Sequence, residues 1–215
     1  MKSKIKSKSQ VVKSHYFDLK YDTKQRWNSY WYQIKEVLDL QPEHILEIGV
    51  GNKTVSDYLR KIGQKVTTCD FDKSLKPDVV ANVLNLPFKS NSFDAILCAE
   101  VLEHLPFKDF TKALKEIHRV TKSNVVLTLP HLSLTHVYFG IKLIPFIPKK
   151  EVLLKINCQM KRSFDQEHRW EIGEKGYPLS KIIEKIQKSG FKLLKNYYPL
   201  ENPRHQFLIL SKNSL

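Results

Sequence analysis

The sequence predicts an α/β domain: a mostly parallel sheet with helices on both faces and an antiparallel edge pair near the C-terminus. Three observations predict it. Short apolar runs rich in β-branched residues alternate with segments of three-and-four apolar spacing from His44 to Leu129. Those runs lack a polar face, as strands covered by helices on both sides do. Turn residues such as Gly49, Gly51, Gly63 and Pro130 punctuate the alternation.

In chain order, Lys24 to Leu40 spaces Trp27, Tyr30, Trp31, Ile34, Val37 and Leu38 as one helix face, which predicts that both tryptophans pack on the core. His44 to Ile48 is the first strand, followed by a helix over Thr54 to Ile62 closed by Gly63. Lys65 to Cys69, Asp78 to Ala81 and Phe93 to Cys98 are the next strands. A helix over 107–121, with Phe110, Ala113, Leu114, Ile117 and Val120 inward, leads to a strand over Asn124 to Leu129. The rhythm then breaks from His131 to Trp170, a greasy stretch rich in Pro and Lys with no clear strand pattern. Leu179 to Ser189 reads as a helix, and Phe191 to Tyr198 with His205 to Ser211 as the antiparallel edge pair.

The chain of 215 residues, 41% hydrophobic with 7 Gly and 10 Pro, is that of one globular domain and excludes disordered and collagenous classes. Residues 1–15 read as a basic disordered tail, because Lys2, Lys4, Lys6, Lys8 and Lys13 come with no acid among them. Residues 16–215 read as a single domain with an inserted lid or acceptor-binding segment at about 131–175. The basic start lacks the apolar run of a secretory signal. The run from Val137 to Ile147 is broken by Lys142 and Pro145, too short to span a bilayer. Cys69, Cys98 and Cys158 are odd in number and form no CxxC pair, so neither a disulfide framework nor a cysteine zinc site is expected. A cytoplasmic location follows. The net charge of +14 raises affinity for any polyanion without naming one.

The chemistry concentrates in Ile45-Leu-Glu47-Ile-Gly49-Val-Gly51-Asn-Lys53, a strand ending in a glycine turn that opens a helix. Glycines there let the backbone approach a ligand closely. Asp70, at the end of the next strand, is placed to accept ribose hydroxyls. Thr54 stands where a dinucleotide turn has its third glycine, and Glu47 at the mouth would repel a pyrophosphate. A carboxylate there favours a cationic nucleoside cofactor such as S-adenosylmethionine.

With these residues in view, the segment from Ile45 to Pro130 resembles the class I S-adenosylmethionine-dependent methyltransferases, in particular the small bacterial single-domain kind. ILEIGVG looks like their glycine-rich motif, VTTCDFD their acidic second strand end, NVLNLPF their adenine loop and SFDAILCAEVLEHL their fourth strand and turn. The resemblance implies a Rossmann-like fold and S-adenosyl-L-methionine as cofactor. It places Gly49 and Gly51 against the methionine moiety, Glu47 at its amino group, Asp70 on the ribose and Phe71 on an adenine face. Asn82 and Val83 would read the adenine edge, and Ala99 and Glu100 would border the methyl group. Two positions depart from the pattern: Lys53 replaces a usual glycine, and Asn82 a usual aspartate.

The resemblance implies in-line methyl transfer to a small-molecule or biosynthetic-intermediate nucleophile. His131, His104 and His168 are the candidate catalytic groups, since imidazole titrates near neutral pH. His104 also has a structural reading within the VLEHL turn. Glu167, His168, Trp170, Glu171 and His205 are candidates for an acceptor pocket. A metal is the second reading for these histidines and carboxylates, but sequence shows no three converging ligands and no metal site is assigned. RNA or protein methylation, and a non-catalytic cofactor-binding relative impaired by Lys53, stay open as alternatives. Nucleic acid is not favoured as a partner, since no N/D-P-P-Y/F string follows the fourth strand. Membrane contact stays open through Phe139, Ile144, Phe146 and Ile147 beside Lys142, Lys149 and Lys150.

Overall fold

The computed structural model describes residues 13–132, 135–141, 150–156 and 168–213. Its strands are β1 (His44–Ile48), β2 (Lys65–Asp70), β3 (Val79–Val80), β4 (Phe93–Ala99), β5 (Thr121–Pro130), β6 (Thr135–Ile141), β7 (Lys150–Ile156), β8 (Phe191–Tyr197) and β9 (His205–Lys212). The helices are α1 (Lys24–Asp39), α2 (Thr54–Lys61), α3 (Phe110–Val120) and α4 (Leu179–Lys188).

Seven strands form one sheet in the order β3-β2-β1-β4-β5-β9-β8. The first five run parallel, and β9 pairs antiparallel with both β5 and β8. Because successive side chains of a strand point to opposite faces, each strand feeds two cores. Ile45, Leu97, Val126, Phe207 and Ile209 meet Tyr30 and Val37 of α1 and Val55 and Leu59 of α2. Leu46, Ile96, Cys98, Leu127 and Leu208 meet Phe110 and Leu114 of α3 and Ile182 and Ile186 of α4. Chain order steps outward from β1 to β2 on one side and resumes at β4 on the other. The carboxyl ends of β1 and β4 therefore flank a crevice, where open α/β sheets bind ligands.

Four findings differ from the sequence reading. Trp27 and Trp31 are 53% and 57% exposed, and the inward face of α1 is Ser29, Tyr30, Gln33, Glu36 and Val37. The reason is polar pairing: Glu36 accepts from Lys195 Nζ and the Tyr197 hydroxyl, both at 2.9 Å, which rotates its side of the helix onto the sheet. Between His131 and Trp170 the chain forms an antiparallel pair, β6 with β7, in register from Thr135–Ile156 to Ile141–Lys150. In the sequence Thr135, Val137, Phe139 and Ile141 alternate with His136, Tyr138 and Gly140, a period of two blurred by the polar Thr135 in the first set and the aromatic Tyr138 in the second. The third helix starts at Phe110, with a 3-10 turn over Phe107–Asp109 before it. Residues 1–12 of the expected tail lie outside the described residues, and Lys13–Phe17 form a 3-10 helix. Cys158, Glu167, Ile144, Phe146, Ile147, Lys142 and Lys149 also lie outside them.

Among the described residues, no helix is long and apolar enough to cross a membrane. Cys69 and Cys98 are free, buried thiols; burial pushes Cys69 up to about 11 and Cys98 well above the ordinary thiol range, so neither supplies a thiolate near neutral pH.

Candidate functional site

A cavity of about 470 Å³ lies beyond the carboxyl ends of β1, β2 and β4, and Glu47, Gly49, Gly51, Asp70, Phe71, Asn82, Val83, Ala99 and Glu100 all line it. Glycine is required at the first turn position on two counts. Gly49 has φ +83°, and a Cβ there would stand 2.3 Å from Val101 Cγ2.

Glu47 sits on the α1/α2 face of the sheet, two residues from Ile45, and only 5% of it is exposed. Its Oε2 is buried with no hydrogen-bond partner. Burial pushes its pKa up to about 8. Between about pH 4.5 and pH 8 the folded chain therefore holds a proton at Glu47 that the unfolded chain has lost, so this group makes stability fall as pH rises across that window. Burial shifts Asp70 in the same direction, so a matched variant isolates Glu47. Glu47→Gln is expected to be more stabilising for the cofactor-free chain at about pH 8 than at about pH 5, by on the order of 3–4 kcal/mol. Urea melts at the two pH values check this; equal effects at both would contradict it.

Asp70, 7% exposed, braces the glycine turn. Its Oδ2 accepts the Val50 N–H at 2.9 Å and its Oδ1 the Asp72 N–H at 2.8 Å. Each oxygen keeps a second lone pair for the cavity. Phe71 follows with 46% of its surface exposed, an open ring face at the cavity edge. Asn82 is turned partly to its own loop, its Oδ1 accepting the Leu84 N–H at 2.9 Å. Lys53 has φ +66°, which explains glycine's preference at such a position. Its ammonium donates to the Lys76 carbonyl, and Lys53 does not line the cavity.

At the far end of the cavity Glu100 is held by the Thr128 hydroxyl, which donates to its Oε1 at 2.9 Å, with His205 Nε2 3.7 Å from Oε2. Burial lowers the His205 pKa. Of the three candidate histidines, His104 lines the cavity, whereas His131 and His168 do not. His131 is buried, with its Nδ1 2.9 Å from Gln206 Oε1. Trp170 is not a pocket residue but core. It is fully buried, its ring meeting Phe107 at 5.0 Å and Phe110 at 5.1 Å edge-on, and its indole N–H donates to the Leu105 carbonyl at 3.1 Å.

Two groupings escaped the sequence reading. Tyr16, Tyr21, Arg26, Tyr30 and Gln33 wall the cavity from the N-terminal side. Asp22 ties that wall to the glycine turn, accepting from the Tyr30 hydroxyl at 3.0 Å and from Asn52 Nδ2 at 2.9 Å. Glu103, His104 and His168 also converge, each offering one ligand atom within 4.8 Å of the others. Glu103 and His104 are adjacent in sequence, but nothing local marks His168 as their neighbour.

The residues present fit S-adenosylmethionine: an orphaned carboxylate oxygen for its ammonium group, lone pairs of Asp70 for its ribose hydroxyls, and a turn stripped of side chains between them. Comparison with known proteins agrees. Residues 46–129 match the sequence model of the methyltransferase domain. A demethylmenaquinone methyltransferase of Corynebacterium efficiens is 34% identical over 108 residues, 46% of each chain. A ubiquinone biosynthesis O-methyltransferase of Xanthomonas oryzae is 29% identical over 122 residues, 50% of each. The chain thus spans about half the length of the curated relatives it matches. The fold matches a crystal structure of an S-adenosylmethionine-dependent methyltransferase from Clostridium acetobutylicum with TM-score 0.61 at 10% identity, covering 94% of this chain and 98% of that one. It matches the 1,6-didemethyltoxoflavin-N1-methyltransferase of Burkholderia thailandensis, solved with S-adenosylhomocysteine, with TM-score 0.57 at 13% identity, covering 94% and 87%. Motifs, sheet order and cavity agree with one another: residues 46–129 match a methyltransferase domain, and the fold is that of solved S-adenosylmethionine-dependent methyltransferases.

Proposed function

We propose that this protein transfers a methyl group from S-adenosyl-L-methionine to a small-molecule nucleophile. The observation that supports the reading is that Glu47, Asp70 and the glycine turn all line the same cavity. When bound, the cofactor supplies a methyl group on a sulfonium, already an activated leaving group. Glu47 would receive its ammonium and become ionised by that contact. Asp70 would accept from both ribose hydroxyls, Phe71 would stack on adenine, and Asn82 and Val83 would border its edge. Ala99 and Glu100 would then flank the transferring carbon, so that the chain contributes alignment and exclusion of water. No nucleophile of the protein is needed, in keeping with the two buried, undissociated thiols.

The acceptor side is bounded by Val101, His104, Leu105 and Arg169, and His104 is the candidate histidine in reach of an acceptor there. A cavity of about 470 Å³ suits a small acceptor beside the cofactor. The relatives named for menaquinone and ubiquinone biosynthesis support such an acceptor class. The free thiols Cys69 and Cys98 fit a reducing compartment, and we place the protein in the cytoplasm.

Calorimetry with S-adenosylmethionine and S-adenosylhomocysteine tests the reading, with saturable binding of both expected. No binding by a folded chain would favour a non-catalytic relative, and binding to RNA that falls steeply with salt would favour the nucleic-acid alternative. Because the Lys53 ammonium is engaged by the Lys76 carbonyl, Lys53→Ala is expected to change cofactor affinity by less than about twofold, or about 0.4 kcal/mol. A tenfold loss in the same titration would show that this ammonium contacts the cofactor.

A further inference from the structure

We propose that Glu103, His104 and His168 form a binding site for a divalent first-row transition-metal ion at the acceptor end of the cavity. His104 Nε2 and His168 Nε2 each lie 3.9 Å from the same carboxylate oxygen, Glu103 Oε1, and the two rings are 5.0 Å apart. Donors bound tetrahedrally at about 2.0–2.2 Å from an ion are separated by about 3.4 Å, so side-chain adjustments of about 1 Å or less close this set on a metal.

Three independent features point to a cation there. Glu103 is fully buried, and neither of its carboxylate oxygens has a hydrogen-bond partner. A carboxylate in that state calls for a proton or a metal ion. Glu100 and Glu171 add negative charge around it. Next, His168 Nδ1 lies 2.9 Å from Glu171 Oε1. An imidazole that donates its Nδ1–H to a carboxylate presents the lone pair of Nε2 on its other edge, the arrangement of metal-ligating histidines. Nε2 then faces the Glu103 oxygen, lone pair toward acceptor, an opposition that a cation between them resolves. Finally, hydrogen bonds to the carbonyls of Glu103, His104 and Leu105 hold the set in place. Arg169 N donates to the Glu103 carbonyl at 2.9 Å, Arg169 Nε to the His104 carbonyl at 3.0 Å and Trp170 Nε1 to the Leu105 carbonyl at 3.1 Å. These bonds dock the His168 segment on the Glu103–His104 turn whatever rotamers the ligands adopt.

Two imidazoles with one carboxylate select ions such as Zn²⁺, Mn²⁺, Fe²⁺ or Co²⁺ over the all-oxygen preference of Ca²⁺ and Mg²⁺. Three protein ligands leave a coordination position open, as in metal sites that take an exogenous ligand. His104 is the ligand on the cavity wall. Resting on the methyltransferase reading, the open position would take an oxygen of the acceptor.

The test uses the untagged full chain, stripped with a chelator and titrated calorimetrically with Zn²⁺ and Mn²⁺, and with Co²⁺ followed by visible absorption. One ion per chain is expected, together with a higher melting temperature in its presence. Glu103→Gln, which keeps the shape and removes the charge, and His168→Ala should each weaken binding by about tenfold or more. His44→Gln, remote from the cluster, should not. Absence of ion binding, or equal affinity in all variants, overturns the site. S-adenosylmethionine titrations on the same samples separate the two readings. Cofactor binding without ion binding overturns the metal site alone, and ion binding at this cluster without cofactor binding upholds it while overturning the methyltransferase reading.

Discussion

Trp170→Ala is expected to destabilise the fold by about 3–5 kcal/mol, as removal of a fully buried tryptophan does when its neighbours cannot collapse into the space. Its neighbours are anchored on three sides. Phe107, Phe110 and Tyr177 pack around the indole edge-on or tilted, and the Leu105 carbonyl would lose its donor. Trp170→Phe should recover most of the packing but not the hydrogen bond, leaving a cost of about 1–2 kcal/mol. Urea unfolding of the three proteins measures this. The alternative role, a wall of the acceptor pocket, predicts the reverse pattern: near-normal stability in Trp170→Ala with an acceptor KM that rises. That outcome would return the residue to the pocket.

Asp70→Ala is expected to weaken S-adenosylmethionine binding by about 1.5–3 kcal/mol, roughly tenfold to over a hundredfold. Two effects combine. The ribose hydroxyls lose a charged acceptor, and the Val50 and Asp72 N–H groups that Asp70 now holds are released, so the glycine turn loses its brace. Asp70→Asn separates them in part, because its carbonyl oxygen can still accept from one N–H and one hydroxyl, and it should fall between the wild type and Asp70→Ala. Calorimetry at fixed pH reads all three. An unchanged dissociation constant in Asp70→Ala would remove this residue from the ribose.

Much of this was legible in the sequence because the determinants are local. The glycine turn is read from Gly49 and Gly51, the strand end from the stop at Asp70, and the helix faces from the spacing of Phe110, Leu114 and Ile117. What failed depended on distant partners. Glu36 turns inward because Lys195 and Tyr197 of the far strand β8 bind it, so the tryptophans of α1 face outward although their spacing suits a core. Trp170 is core because the turn at Leu105 offers a carbonyl and the start of α3 a cluster of rings. His168 meets His104 by the same docking. No periodicity near residue 168 carries information about residues 103–105, which only the folded chain brings alongside.

The return of the chain after β7 has a consequence for how such a protein diversifies. Ile172 N donates to the Pro130 carbonyl at 3.0 Å and Leu132 N to the Ile172 carbonyl at 2.8 Å, so the chain departs from and rejoins the sheet at almost the same point. An excursion clamped at its neck is a cassette: doubling its length costs only about 0.6 kcal/mol of closure entropy. Natural variation can exchange the part of it that precedes His168, provided that Trp170 at its return end keeps its place in the core.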